Sequence, residues 1–373
     1  MDPQRRRLSV MRGIDSEEPD HTGKERTEQA IFECIMNTRR QAKGEVISVG
    51  SKTVISPTKD FFEKECTCLR EDGNGAKQHE QGKVDAIMRE MLERFRIGWC
   101  CKKGKKPESP NQDSFHVVFV ENEYAIYSVF DGHGPKGHDV SQLARKVLID
   151  AFVQHPDRRK DPGHAMEAAF TFTQSQIASK DEPAFMNSGS TCTLAYVDFE
   201  RDTLTTAWIG DSRSVLAKRT EGRRLVFEET KDHKPNDPAE QQRIESANPP
   251  GRVVFDGFYN YRVFSQKGMY PGLNMSRAFG DILAHKEAGL TAAPDVSTFN
   301  LAALRAEHKE LTLVVASDGV WEFLTSEDVF ALVEEQPSPT ACAEEIAKVS
   351  WEKWMADSDD EISDDITVIF VRL

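Results

Sequence analysis

Apolar runs of six or seven residues recur along this sequence, and five of them carry an aspartate at one end. The clearest is Ala125-Ile126-Tyr127-Ser128-Val129-Phe130, which stops at Asp131-Gly132-His133-Gly134. A short apolar run bounded in this way reads as a buried strand. Glycines at its end let the backbone turn sharply and bring carbonyls close to a bound ion. The strand end then presents a carboxylate, a carbonyl and an imidazole at one rigid place. That suits a metal-assisted hydrolase in which His133 moves a proton. Alone, Asp-Gly-His would read as an ordinary tight turn, since aspartate favours turns.

Recurrence favours the metal reading. Asp113 precedes a strand over 114–120, Asp211 follows one over 203–209, Asp318 follows one over 311–317, and Asp365 precedes one over 366–373. Glu121-Asn122-Glu123 turns the 114–120 strand into the 125–130 strand, so an antiparallel pair places Asp113 and Asp131 at the same sheet edge. Carboxylates gathered together repel, with raised pKa values, unless cations neutralise them. No His/Cys ligand set accompanies them, and all-oxygen ligation selects hard ions, Mg²⁺ or Mn²⁺. Two such ions about 3.5–4 Å apart can activate water for attack on phosphorus.

The 373 residues allow one large domain plus an extension, or two domains. The net charge of -14 is uneven: residues 1–106 carry 22 Lys and Arg against 18 Asp and Glu, leaving 26 against 44 for the rest. An acidic main domain argues against a nucleic-acid surface. The seven cysteines (Cys34, Cys66, Cys68, Cys100, Cys101, Cys192 and Cys342) form no C-x-x-C pair. Their odd number and the missing signal peptide point to reduced thiols inside a cell, in the cytoplasm with the nucleus as an alternative. No apolar run reaches membrane length, and Asp2 excludes N-myristoylation. A monomer is expected.

Residues 1–80 are polar and broken by charge clusters, and are expected to be a largely flexible extension. Within them, 28–40 could form a short helix, and Arg5-Arg6-Arg7-Leu8-Ser9 resembles a site for a basic-directed kinase. Val84, Ile87, Met88, Met91, Leu92 and Phe95 predict a helix over 83–96. Further helices are expected near 140–154, 164–179, 238–247, 326–335 and 340–355, and strands near 194–199 and 214–218. The stretch 248–275 is rich in Gly, Pro and aromatics, lacks a clear period, and reads as a long functional or mobile loop.

The segments 129–134, 189–193, 210–213, 276–281, 316–321 and 365–371 resemble, in order, the motifs of the metal-dependent serine/threonine phosphatases of the 2C type. The resemblance spans roughly 98–373. It implies an α+β fold, a four-layer α-β-β-α sandwich of two antiparallel sheets flanked by helices, with a catalytic domain over 81–373 and a substrate-facing flap at 248–275. It implies two Mg²⁺ or Mn²⁺ ions per active site. Asp131 would bridge them, the Gly132 carbonyl would be a further ligand, and Asp318 and Asp365 would complete the direct set. Asp113 would act through metal-bound water, and Asp211 with Asp318 would mark a weaker third metal. His133 would be the acid that protonates the leaving serine or threonine oxygen of a phosphorylated protein substrate.

The resemblance has gaps. Gln112 stands where many relatives carry Glu, and Glu322 where many carry Asp. The phosphate-binding arginine expected shortly before Asp113 is missing, since the last arginine is Arg96. Either Lys103, Lys105 or Lys106 contacts the phosphate as a point charge, with Arg277 or Arg262 next in line, or these lysines are a solvated basic loop. The rival to an active enzyme is a catalytically weak binding module on the same fold.

Overall fold

The computed structural model describes residues 46–49, 52–55, 94–106, 110–120, 122–180, 182–308 and 310–373. The expected helix at 28–40, the kinase-like motif at 5–9 and all but the end of the 83–96 helix lie outside these residues. Of that last helix, Arg94 and Phe95 are helical and Arg96 turns out of it with φ 57°.

Two short strands, β1 (Val46–Val49) and β2 (Lys52–Ile55), pair as a hairpin. The main body opens with β3 (Ile97–Lys102), β4 (Ser114–Val120), β5 (Tyr124–Phe130) and the two-residue β6 (Gly132–His133). Helices α1 (Gly137–Gln154) and α2 (Pro162–Ala178) follow. Next come β7 (Gly189–Ser190), β8 (Cys192–Asp198), β9 (Thr203–Ile209), β10 (Arg213–Thr220) and β11 (Arg223–Glu229). Helix α3 (Pro238–Ser246) leads into β12 (Gly251–Phe255), β13 (Tyr261–Ser265) and β14 (Pro271–Leu273). After β15 (Phe279–Gly280) come α4 (Ile282–Glu287), β16 (Asp295–Asn300), α5 (Leu301–Glu307) and β17 (Leu311–Ala316). The chain ends with α6 (Asp318–Trp321), α7 (Ser326–Leu332), α8 (Pro339–Asp357) and β18 (Ile366–Arg372).

Two five-stranded antiparallel sheets form the centre, in the orders β11-β10-β17-β18-β3 and β16-β9-β8-β5-β4. Side chains alternate between the faces of a strand, and here each face has a partner. Phe115, Val117, Tyr127 and Val129 of one sheet meet Leu313, Val315, Ile369 and Val371 of the other. Ile126, Phe130, Leu194 and Tyr196 pack outward on Leu148, Phe152 and Phe170 of α1 and α2. On the opposite side Val314, Val368 and Phe370 pack on Phe330, Ile346 and Ala347 of α7 and α8. The result is the expected α-β-β-α sandwich. Burial on both faces is why the central strands read as continuous apolar runs.

The stretch 248–275 is not a structureless loop. It folds as a small antiparallel sheet, β12-β13-β14. Asp256 closes its first turn by accepting hydrogen bonds from the Phe258, Tyr259 and Asn260 amides. Phe255, Phe258, Tyr259 and Tyr261 stay exposed, so no inside-outside alternation marks these strands in the sequence.

Candidate active site

Strand register brings the five aspartates to one end of the sandwich. Ser114 pairs with Phe130, so Asp113 and Asp131 leave the same edge of their sheet. In the other sheet Arg213 pairs with Ala316, which puts Asp211 and Asp318 beside one another. The Ser317 amide donates to the Thr367 carbonyl at 3.1 Å, carrying Asp365 to the same edge. The turns are tight. Gly210 has φ 89° and lies against Thr191, where an added Cβ would collide. A Cβ on Gly132 would strike the carbonyls of Gly137 and Gln112.

Asp113, Asp211 and Asp365 are buried, and Asp131 and Asp318 are half-buried. Asp113 Oδ2 accepts from Ser317 Oγ at 2.8 Å and Thr367 Oγ1 at 2.7 Å. Asp365 bridges two backbone amides across the sheets, Gly104 at 2.6 Å and Gln112 at 2.8 Å. The Thr191 hydroxyl accepts from the Asp131 amide at 3.1 Å, and the Thr191 amide donates to the Asp131 carbonyl at 2.8 Å. Burial pushes the Asp131 carboxyl well up, and repulsion from Asp318 and Asp113 adds to it. Asp113 rises for the same reasons, with Asp365 as its main repelling neighbour. Asp318 is pushed up to about 7 by burial and by Asp211 and Asp364.

Asp113 Oδ1, Asp211 Oδ1 and Asp318 Oδ1 are buried without a hydrogen-bond partner. Buried acceptors normally have partners. Orphaned oxygens in a self-repelling, all-oxygen cluster are the donor set that hard divalent cations take. The residues present fit such ions. The protein supplies two cations of its own nearby: Lys106 reaches Asp364, and Lys234 reaches Asp211.

His133 lies one residue beyond Gly132. Its Nε2 meets Asp281 Oδ2 at 2.6 Å, and its Nδ1 is buried without a partner. Burial opposes a charge on this ring, but the Asp281 carboxylate outweighs it and raises the imidazole pKa. Asp281 is itself buried, holds φ 43°, and is fixed by an amide bond to the Ser188 carbonyl at 2.8 Å.

The family model described as "Protein phosphatase 2C" matches residues 108–359. The chain belongs to the protein phosphatase 2C family. "Probable protein phosphatase 2C 61" of Arabidopsis thaliana is 32% identical over 270 residues, covering 70% of this chain and 80% of that protein. "Probable protein phosphatase 2C 56" of Oryza sativa subsp. japonica is 32% identical over 259 residues, covering 69% and 66%. The fold is similar to the serine-threonine phosphatase 2C of Toxoplasma gondii, with a TM-score of 0.62 at 17% identity, covering 74% of this chain and 94% of that one. It is also similar to a C. elegans sex determining protein, with a TM-score of 0.59 at 18% identity, covering 84% and 79%. As a member of this metal-dependent family, the protein is a serine/threonine phosphatase, and phosphoproteins are its substrate class.

Where this phosphatase 2C departs from the motif pattern, the structure shows what fills the gap. Gln112 donates its side-chain amide to the Gly134 carbonyl at 2.7 Å, which a glutamate could not do. Its own carbonyl receives the Gly132 amide at 3.2 Å and the Ser141 hydroxyl at 2.7 Å. The three candidate lysines separate. Lys103 Nζ donates to the Lys106 carbonyl at 2.8 Å, and Lys105 Nζ to the Asp360 carbonyl. Only Lys106 turns its ammonium to the carboxylates. Burial would lower its pKa, but Asp364, Asp365 and Asp131 raise it further, so it stays charged.

Arg277, expected from the sequence to bind substrate, has partners within the protein. Its Nε and Nη2 donate to Glu240 at 3.1 and 2.7 Å, and its Nη1 donates to Asp295 and the Ala293 carbonyl. These hydrogen bonds tie α3 to β16. Arg262, named after it, is held by Asp256 and the Gly272 carbonyl within the flap.

Sequence reasoning gave no role to Ser317, Thr367, Asp281, Lys234 or Asp364. Two of these had a signal. Asp281 ends the 276–281 segment, and Asp364 adjoins Asp365. The others become visible only through register and long-range contacts.

Proposed function

We propose that the acidic end of the sandwich hydrolyses phosphoserine and phosphothreonine in proteins with two Mg²⁺ or Mn²⁺ ions. The observation that carries this reading is the set of buried, unpartnered carboxylate oxygens gathered from both sheets beside His133. Asp131 would serve both ions, with the Gly132 carbonyl, Asp318 and Asp365 completing the direct set and Asp113 acting nearby. When bound, the ions supply an activated water and neutralise phosphoryl charge.

The chain's own residues do the rest. Asp281 holds the Nε2 edge of His133, which leaves Nδ1 to give its proton to the departing serine or threonine oxygen. Lys106 holds an outer phosphoryl oxygen as a point charge, the role an arginine would fill with a planar fork. Lys234 already neutralises Asp211, so a third ion shared by Asp211 and Asp318 must displace an ammonium and binds more weakly than the first two. The excess of acid outside residues 1–106 suits a protein that acts without nucleic acid, and we take it to be a monomer. Cys100, Cys101, Cys192 and Cys342 are buried thiols not joined as disulfides, which supports a reducing compartment, cytoplasmic or nuclear.

Phosphopeptide turnover tests the reading. The wild type should release phosphate from phosphoserine and phosphothreonine peptides only with Mg²⁺ or Mn²⁺ present. Asp131→Ala should abolish turnover and stay folded. A wild type that binds the peptides without turning them over would establish the binding-module alternative.

A further inference from the structure

The turn between α1 and α2 reads His155-Pro156-Asp157-Arg158-Arg159-Lys160-Asp161-Pro162-Gly163-His164. His155 ends α1, Asp157 lies in the turn, and His164 sits in the first turn of α2. One ligand atom from each of His155, Asp157 and His164 lies within 4.8 Å of the other two. His164 Nδ1 is 3.6 Å from Asp157 Oδ2, and the two imidazole rings stand edge to face at 5.5 Å between centroids. We propose that His155, Asp157 and His164 form a binding site for one borderline divalent transition-metal ion of the zinc class.

The backbone around these residues is fixed. The Asp157 carbonyl accepts from the Lys160 and Asp161 amides at 2.8 and 2.7 Å. The Asp161 side chain caps α2 by accepting from the His164 amide at 3.1 Å. What remains adjustable are three side chains in solvent contact, whose ligand atoms need close by at most about 1.5 Å to reach the spacing of a tetrahedral zinc site. In the metal-free turn the Asp157 amide donates to His155 Nδ1 at 3.2 Å, a long bond that ring rotation can give up. Two cations of the turn face elsewhere. Arg159 pairs with Glu123 and Glu200, and the Arg158 guanidinium lies 4.3 Å above the Tyr124 ring.

The donor set decides the metal. Two imidazoles and one carboxylate suit zinc, cobalt or nickel and leave an open position, whereas the all-oxygen cluster suits magnesium or manganese. The two sites are also far apart. Helix α1 starts against Gly132 and Gln112 and runs 18 residues, so its far end lies ~27 Å away at 1.5 Å per residue. A zinc ion there would clamp two outer helices together without touching the reacting groups.

The full-length protein tests this directly. Wild type and the double variant His155→Asn, His164→Asn are equilibrated with micromolar free zinc in millimolar magnesium, and bound zinc is measured. The wild type should hold one equivalent more than the variant, and zinc should raise its thermal midpoint by several degrees. The variant should show no such rise and should keep the wild-type phosphatase rate in magnesium. Equal zinc content in the two proteins, or an equal thermal shift, overturns the proposal. Should the double variant fold poorly, Asp157→Asn keeps both imidazoles. Losing even an outer partner of a metal ligand weakens a site by about 10–100-fold, so its zinc affinity should drop at least that far. Unchanged affinity overturns the proposal equally.

Discussion

His133 can deliver a proton only while its ring is held, and Asp281 holds it from a backbone conformation that few residues adopt. Asparagine tolerates a left-handed φ and matches aspartate in shape, so Asp281→Asn removes the charge and spares the fold. In the proposed reaction His133→Gln should slow turnover of alkyl phosphoesters by ~10²–10⁴, and Asp281→Asn by roughly ten- to a hundredfold. Both deficits should shrink on aryl phosphates, whose leaving groups need little protonation. Equal losses on the two substrate types would remove His133 from the acid role. The carboxylates make a separate prediction about pH. A carboxyl whose folded pKa is raised stabilises the fold below its unfolded value, and that stabilisation is lost as pH rises through the folded value. For Asp318 the window runs from 3.8 to about 7, and Asp113 and Asp131 shift in the same direction. Bound cations relieve this loss, so the thermal shift produced by Mn²⁺ should grow as pH climbs through that window. Taking the difference between metal-bound and metal-free protein cancels His116 and His285, whose lowered pKa values act in the opposite sense in both forms. A manganese shift that shrinks with rising pH would contradict the account.

At the scale of elements, the loop after β3 and the anchor of α3 make opposite predictions for two cations. Lys106 faces the carboxylates, whereas Arg277 is bound to Glu240 and Asp295. Lys106→Met should lower kcat/KM by roughly one to two orders of magnitude and weaken inhibition by inorganic phosphate, with manganese affinity nearly unchanged. Lys103→Met, Lys105→Met and Arg277→Met should leave phosphate inhibition near the wild-type value, and Arg277→Met should instead lower thermal stability. Phosphate inhibition lost on Arg277→Met would restore the reading that the sequence suggested. The same contrast explains which elements the sequence revealed. β5, β9, β17 and β18 were legible because neighbours cover both of their faces. β11 was not, because Arg223, Leu225, Phe227 and Glu229 are exposed on a sheet edge and its pattern is charged. β16 is a polar edge strand, and β12 to β14 lie on the surface, so none of them shows apolar alternation. The five aspartates were legible because each breaks an apolar run. Ser317 and Thr367 were not, because their hydroxyls matter only once register aims them at Asp113.

Across the whole molecule, the site exists only when the sandwich is closed. Asp113 and Asp131 come from one sheet, Asp318 and Asp365 from the other, and Asp211 from the crossover between β9 of the first and β10 of the second. Asp365 joins the halves by accepting the amides of Gly104 and Gln112, residues that lie between β3 and β4. β3 is therefore the N-terminal limit of what the site needs. It pairs with β18 along its length and buries Ile97, Trp99 and Cys101 between the sheets. Among the described residues, the hydrogen bonds that Asp113, Asp131, Asp211 and Asp365 accept or donate all go to residues beyond 100. Removing residues 1–80 should leave a soluble enzyme with metal-dependent turnover close to that of the full chain. Removing residues 1–102 should not, because it strips an edge strand and several core side chains. Each large core residue lost costs about 2–5 kcal/mol, against a net stability of about 5–15 kcal/mol. Circular dichroism, thermal melting and phosphopeptide turnover of the two truncations separate the cases. If the shorter deletion also fails to fold or loses all activity, part of residues 1–80 belongs to the catalytic fold, and the boundary expected from composition is wrong.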